Sequence, residues 1–346
     1  MTRTRSRIGV TMPIVNQPIH KFPEFAKLAE DAGFDSVWDY EVHRNPLVML
    51  ALCAMTTSRI KLGTGIAAAC ARTPNAMANA AADVDEISKG RAILGLSTGG
   101  ADWAECLNGA DIDHPVGRMR EYISVMRSLW HYHHTGDAFT HSGEFYRAKV
   151  PPINVFGRRE HLARPKVPVY LAGLKPKMLQ LAGEIADGVM GYLYTPKLIR
   201  EHVVPNVTIG ARKAGRDPTE VDIASLIICS VDKDREQAMR LARINVGMYV
   251  LYPVAASIVE FMGLQDERAA LMQVLMNEGP AALATATPDS LLRAFAICGT
   301  PEEALEQLAE FEDVLPHIIL HTPYVPPIRQ EESEAAFRNL LQVFRR

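Results

Sequence analysis

Two side chains that can exchange protons stand close together in Tyr40-Glu41-Val42-His43-Arg44-Asn45. This stretch follows a short β-like run, and Glu41 and His43 are candidate acid and base there. Taken singly, Glu41 also fits a salt-bridge partner, and His43 a loop-stabilising histidine. Ser97-Thr98-Gly99-Gly100 offers small hydroxyls and glycines on which a flat ring could lie, or simply a tight turn with a helix cap at Thr98. Gly173-Leu174-Lys175 sits between a β-like run and a helix opened by Pro176. Backbone amides at such a junction, the positive end of the helix and Lys175 and Lys177 suit a phosphate. Glycine there also serves plain turn geometry.

Other patterns carry less. His131-Tyr132-His133-His134 has metal-like spacing but ends a helix, where cationic histidines suit the dipole. Asp111, Asp113 and His114 lack confirming ligands, so no metal site is expected. No nucleophile elbow, Walker loop or dinucleotide glycine pattern is present. Five widely spaced cysteines without a CxxC pair point to a reduced, cytoplasmic protein. A net charge of −3 does not form a nucleic-acid footprint, and no run of apolar residues suffices for a membrane span.

These residues are positioned by an alternation of short β-like runs and longer amphipathic helices. Runs at 8–12, 35–39, 59–63, 91–96, 167–172, 187–192, 222–231 and 317–321 read as strands. Helices are expected at 22–32, 46–55, 74–87, 116–133, 176–185, 196–214 and 331–345 by apolar spacing, Pro starts and Gly stops. Eight strand–helix units match the number of a (β/α)8 barrel, although an open doubly wound sheet uses the same alternation. In 346 residues that leaves room for insertions, read at 135–166 and, as a mainly helical segment, at about 245–298. One domain over 1–346 is expected. Function in a barrel lives at the C-terminal ends of the strands, which is where the residues above fall.

Several blocks together resemble one family. Phe34-Asp-Ser-Val-Trp38 with Glu41 and His43, Thr57-Ser-Arg-Ile-Lys-Leu-Gly-Thr-Gly65, and the block D-V-D-E-I-S-K-G-R-A-I-L-G at 83–95 are similar to luciferase-like oxidoreductases. Val167-Pro-Val-Tyr170, the run at 182–188 and Gly299-Thr300-Pro301-Glu302 resemble the methylenetetrahydromethanopterin reductase type within it. The resemblance implies a TIM barrel holding coenzyme F-420, a deazaflavin, or alternatively FMN. It implies a cis peptide between Gly65 and Ile66, in the loop that Thr64 opens, supporting the ring. It places Ser97, Thr98 and Gly99 along the ring and its chain, and Gly173, Leu174 and Lys175 at the phosphate.

The chain departs from the family in having Val42 where many members have histidine, and Gly100 where an acid can stand, with Asp102 nearby. Glu41, His43 and Asp102 are therefore the ranked candidates for proton handling. The expected activity is hydride transfer between F-420 and a small organic substrate. The alternatives are an FMN-dependent monooxygenase using oxygen and a non-catalytic flavin-binding relative. Met248, Tyr249, Leu251, Tyr252 and Met262 would suit a hydrophobic or planar substrate, or else form subdomain core. A homodimer is implied by resemblance alone.

Overall fold

A computed structural model describes residues 5–14, 16–42, 44–100, 109, 112–152 and 157–346. The strands are β1 Arg7–Thr11, β2 Ser36–Asp39, β3 Lys61–Thr64, β4 Ala67–Ala68, β5 Ala92–Ser97, β6 Phe139–Ser142, β7 Arg147–Val150, β8 Val169–Ala172, β9 Gly188–Tyr192, β10 Asp222–Val231, β11 Ala296–Gly299 and β12 His317–His321. The helices that matter below are α1 Phe22–Asp31, α2 Pro46–Thr56, α3 Pro74–Ile87, α4 Pro115–Thr135, α5 Pro176–Ile185, α6 Val204–Lys213, α7 Arg235–Leu251 and α8 Gln330–Val343. All eight expected strands are present, with ends within a residue or two of expectation. Helix 74–87 and strands 222–231 and 317–321 match to the residue.

The chain forms two compact units. The first comprises Met1–Trp38, Gly191–Pro205 and Asp222–Arg346. Its strands lie in the order β11-β10-β12-β1-β2, all parallel. Every residue of β12 is buried, as is β10 after Asp222. Such continuous apolar runs are what strands covered on both faces require. Helix α1 buries Phe22, Phe25, Ala26 and Ala29 on one side. Phe25 meets Phe337 of α8 edge-on at 5.5 Å. Strand β11 is a further parallel strand not expected from sequence, beside β10, at the end of a segment read from sequence as mainly helical. Four residues of Ala-Ile-Cys-Gly are too short to show a period of their own.

The second unit comprises Asp39–Met190 and Asn206–Val221. Here β3, β5, β8 and β9 are parallel neighbours in that order, and β4 pairs with β5. Helix α3 turns its small face, Ala78, Ala81 and Ala82, into the core. Trp130 of α4 donates its indole N–H to the Ala78 carbonyl at 2.9 Å. Within 135–166, β6 and β7 form an antiparallel hairpin that sequence reasoning did not find. The Glu121 carboxylate holds its turn by accepting the amides of Glu144, Phe145 and Tyr146 at 2.9 Å each.

The family block at 83–95 acts structurally. Arg159 pairs with Asp83 and Glu86, and Arg164 grips Asp85 with two N–H···O bonds. The buried Arg91 guanidinium donates to Ser88, Thr57, Ile60 and Ala54. These bonds fix the chain before β5 begins, and so fix where β5 ends.

Candidate active site

In the second unit the loops that follow β2, β3, β5 and β8 carry most of the residues singled out from sequence. Two main-chain bonds strap the loop after β3 to the end of β2. The Gly65 amide donates to the Asp39 carbonyl at 2.7 Å, and the Glu41 amide to the Ile66 carbonyl at 3.1 Å. The Gly65–Ile66 peptide is cis, as the resemblance implied. Thr64 is fully buried and donates its hydroxyl to the Gly95 carbonyl at 2.8 Å, so it props the loop from beneath. Gly65 and Ile66 are half-buried and remain open to a ligand.

Glu41 is firmly held. Arg72 grips both carboxylate oxygens, at 2.8 and 2.6 Å, and the Ala68 amide donates to Oε2 at 2.8 Å. Its side chain is 8% exposed and that of Arg72 15%. A carboxylate bound by a bidentate guanidinium and a backbone amide is an anchor for the 64–72 loop. His43 and Asp102 lie outside the described residues.

Sequence reasoning passed over Asp39, the last residue of β2. It is 2% exposed, and burial pushes its carboxyl up to about 7, against the smaller opposing pulls of the Tyr40 backbone hydrogen bond and the Arg44 charge. The available signal was an acid inside the run Ser36-Val-Trp-Asp39, since acids are rarely fully buried.

After β5, Ser97, Thr98 and Gly99 are half-buried. The Ser97 hydroxyl accepts the Gly99 amide at 3.1 Å, and the Thr98 hydroxyl donates to the Gly99 carbonyl at 3.1 Å. Gly99 has a φ of 94°. After β8, the Gly173 amide is donated to the Met190 carbonyl at 3.2 Å. A Cβ at Gly173 would meet Leu179 Cδ2 at 3.0 Å and Val189 Cγ2 at 3.3 Å. Gly173 therefore lets helix and strand approach, and its amide does not face an anion. The exposed donors are Lys175 and Lys177, at the start of α5, whose N-cap carries no side-chain hydrogen bond.

The first unit holds a group of rings that follow β9 and β12. Tyr192, at the end of β9, lies 4.3 Å from Tyr249 of α7 and 5.3 Å from His321, centroid to centroid. Tyr324 lies 5.5 Å from His321, and its hydroxyl is hydrogen-bonded to that of Tyr249. Among the described residues, no three His, Cys, Asp or Glu side chains are placed to hold a metal ion. The His133 ring accepts the Arg159 amide at 3.2 Å. Among them too, no single helix is long and apolar enough to cross a membrane.

The family model for luciferase-like monooxygenases matches residues 2–317. The chain belongs to that family. It is 33% identical to the 5,10-methylenetetrahydromethanopterin reductase of Methanolobus tindarius over 318 residues, 90% of this chain and 93% of that one. It is 32% identical to the reductase of the same name from Archaeoglobus fulgidus, over 83% of this chain and 84% of the other. The solved structure of the coenzyme F420 dependent tetrahydromethanopterin reductase from Methanopyrus kandleri matches with a TM-score of 0.81 at 25% identity, covering 99% of this chain and all of that one. The fold is the luciferase-like (β/α)8 barrel, and the chain is an oxidoreductase of that family.

Proposed function

We propose that this chain transfers a hydride between coenzyme F-420 and a small organic substrate. The supporting observation is its similarity, over nearly its whole length, to reductases of which one is named as F420 dependent. The local geometry fits such a group. A deazaflavin needs a flat support, a donor set for an anionic tail and a place for a proton. Half-buried backbone at Gly65–Ile66 and Ser97–Gly99 suits the first. Lys175, Lys177 and the uncapped start of α5 suit the second. The Asp39 carboxyl, able to hold a proton near neutral pH, suits the third.

When bound, F-420 would supply or accept the hydride, and the protein would position it and exclude water. Asp39 Oδ would hold or release a proton at the end of β2. Glu41 acts differently from its first rank in the sequence reading. Through Arg72 and Ala68 it positions the Gly65–Ile66 loop. The FMN monooxygenase reading has no residue in the described site that favours it over this one.

Fluorescence titration of the purified chain with F-420 beside FMN tests the proposal. Saturable binding of F-420, and reduction of it without oxygen uptake when substrate is supplied, is the expected result. Binding of FMN alone, with oxygen consumed, would overturn it.

A further inference from the structure

One stripe of α4 lines a groove in the second unit. Arg120, Ser124, Arg127 and Ser128 stand along it at helical spacing. Phe139 of β6 and Ile185, the last residue of α5, form its apolar walls. Its volume of about 520 Å³ is that of a small-molecule site. Ile185 lies at the end of α5 opposite Lys175 and Lys177, about 15 Å along the helix. The groove is therefore separate from the start of α5, where the anionic tail of F-420 was assigned.

The cations of the groove are only partly engaged. Arg120 donates to Glu184, and Arg127 to Asp187 at 3.1 Å, each from Nη2. Both carboxylates are already shared with a lysine, Glu184 with Lys213 at 2.8 Å and Asp187 with Lys166 at 2.6 Å. Asp187 also accepts the Val169 amide at 3.0 Å. His131, farther along the stripe, meets Asp137 at 3.1 Å, and that pair is exposed. A guanidinium carries five N–H donors. Among the described residues, the Arg127 Nε is buried and completes no hydrogen bond. A buried donor without a partner is costly, and in native proteins it calls for an explanation.

We propose that this groove binds a phosphate monoester with a flat apolar body. The phosphoryl oxygens accept from Arg120 and Arg127 and from the hydroxyls of Ser124 and Ser128, and the body lies against Phe139 and Ile185. The planar fork of arginine matches an oxyanion in shape as well as charge. A phosphate monoester has several acceptor oxygens and a charge of about −2 at neutral pH, which suits two guanidiniums better than one carboxylate does. A bare inorganic ion would leave the apolar walls wet, so an organic body gains by covering them. The site stands apart from the F-420 reading and does not rest on it.

The test is isothermal titration calorimetry of the full chain, without cofactor, at low salt and neutral pH, using 1-naphthyl phosphate, 1-naphthol and inorganic phosphate. The ester should bind most tightly, inorganic phosphate roughly tenfold more weakly, and 1-naphthol not measurably. Arg127→Met should weaken both phosphates roughly tenfold. Arg120→Ala should do the same, and it keeps the test open if Arg127→Met does not fold, because Glu184 retains Lys213. Phe139→Ala should weaken the ester roughly fivefold and leave inorganic phosphate unchanged. Lys175→Ala with Lys177→Ala should leave the ester's affinity as it was. Absence of ester binding, ester affinity unmoved by the arginine variants, its loss in the lysine variant, or inorganic phosphate bound as tightly as the ester would each overturn the proposal.

Discussion

Asp39 has a carboxyl that ordinarily ionises near pH 4 and here holds its proton to about 7. Its folded-state value lies above its unfolded one. Its contribution to stability is therefore full below about pH 4 and is lost as the pH rises to about 7. Each pH unit across that window is worth about 1.4 kcal/mol. Asp39→Asn has no such dependence, so it should match the wild type at pH 4 and exceed it by a few kcal/mol at pH 8. Urea denaturation at the two pH values reads this directly. His321 has the opposite sign, losing stability as pH falls from about 6.5 towards 3, but it acts equally in both proteins and cancels in the difference. Glu41→Gln leaves Arg72 half-buried with a neutral partner and should cost about 3 kcal/mol. With the proton handled at Asp39, as proposed, and Glu41 held by Arg72 and Ala68, the pH profile of turnover should keep its shape. A profile that loses a limb in this variant would return Glu41 to a catalytic role.

At the scale of elements, the crossing of α5 and α6 sets where the Lys175 end of α5 points. Two glycines allow it. A Cβ at Gly210 would fall 1.9 Å from the Gln180 carbonyl oxygen, and one at Gly183 would fall 2.2 Å from that of Val207. Both obstacles are backbone and cannot swing aside. Gly210→Ala should destabilise by about 2 kcal/mol or more, read as a lower midpoint in urea with an unchanged slope. An ordinary Gly→Ala exchange inside a helix would instead stabilise by up to about 1 kcal/mol. A higher midpoint for Gly210→Ala would mean that the helices are not in contact there.

For the molecule as a whole, a cofactor that binds only the folded chain must raise its stability by mass action. At about 100 times its dissociation constant, F-420 should add roughly 2.7 kcal/mol. Lys175→Ala with Lys177→Ala should weaken F-420 roughly tenfold, an effect that shrinks with added salt because both lysines are exposed. Equal affinity for F-420 in the double variant and the wild type, at low salt, would move the anionic tail elsewhere.

The alternation of strands and helices was written in the sequence, because a strand buried on both faces must be an apolar run and a covering helix must repeat its apolar positions. That is why β10, β12 and α3 could be placed to the residue. Motif blocks also gave the family. They could not give partners. Nothing local to Glu41 says that Arg72, 31 residues on, takes both its oxygens, or that the Gly173 amide is donated to Met190. The run Ser36-Val-Trp-Asp39 hints that Asp39 is buried, but not by how much, since the rest of its surroundings come from strands and loops distant along the chain. Proton affinity, the freedom of an amide and the meeting of three tyrosines depend on distances through space, and only the folded chain fixes those.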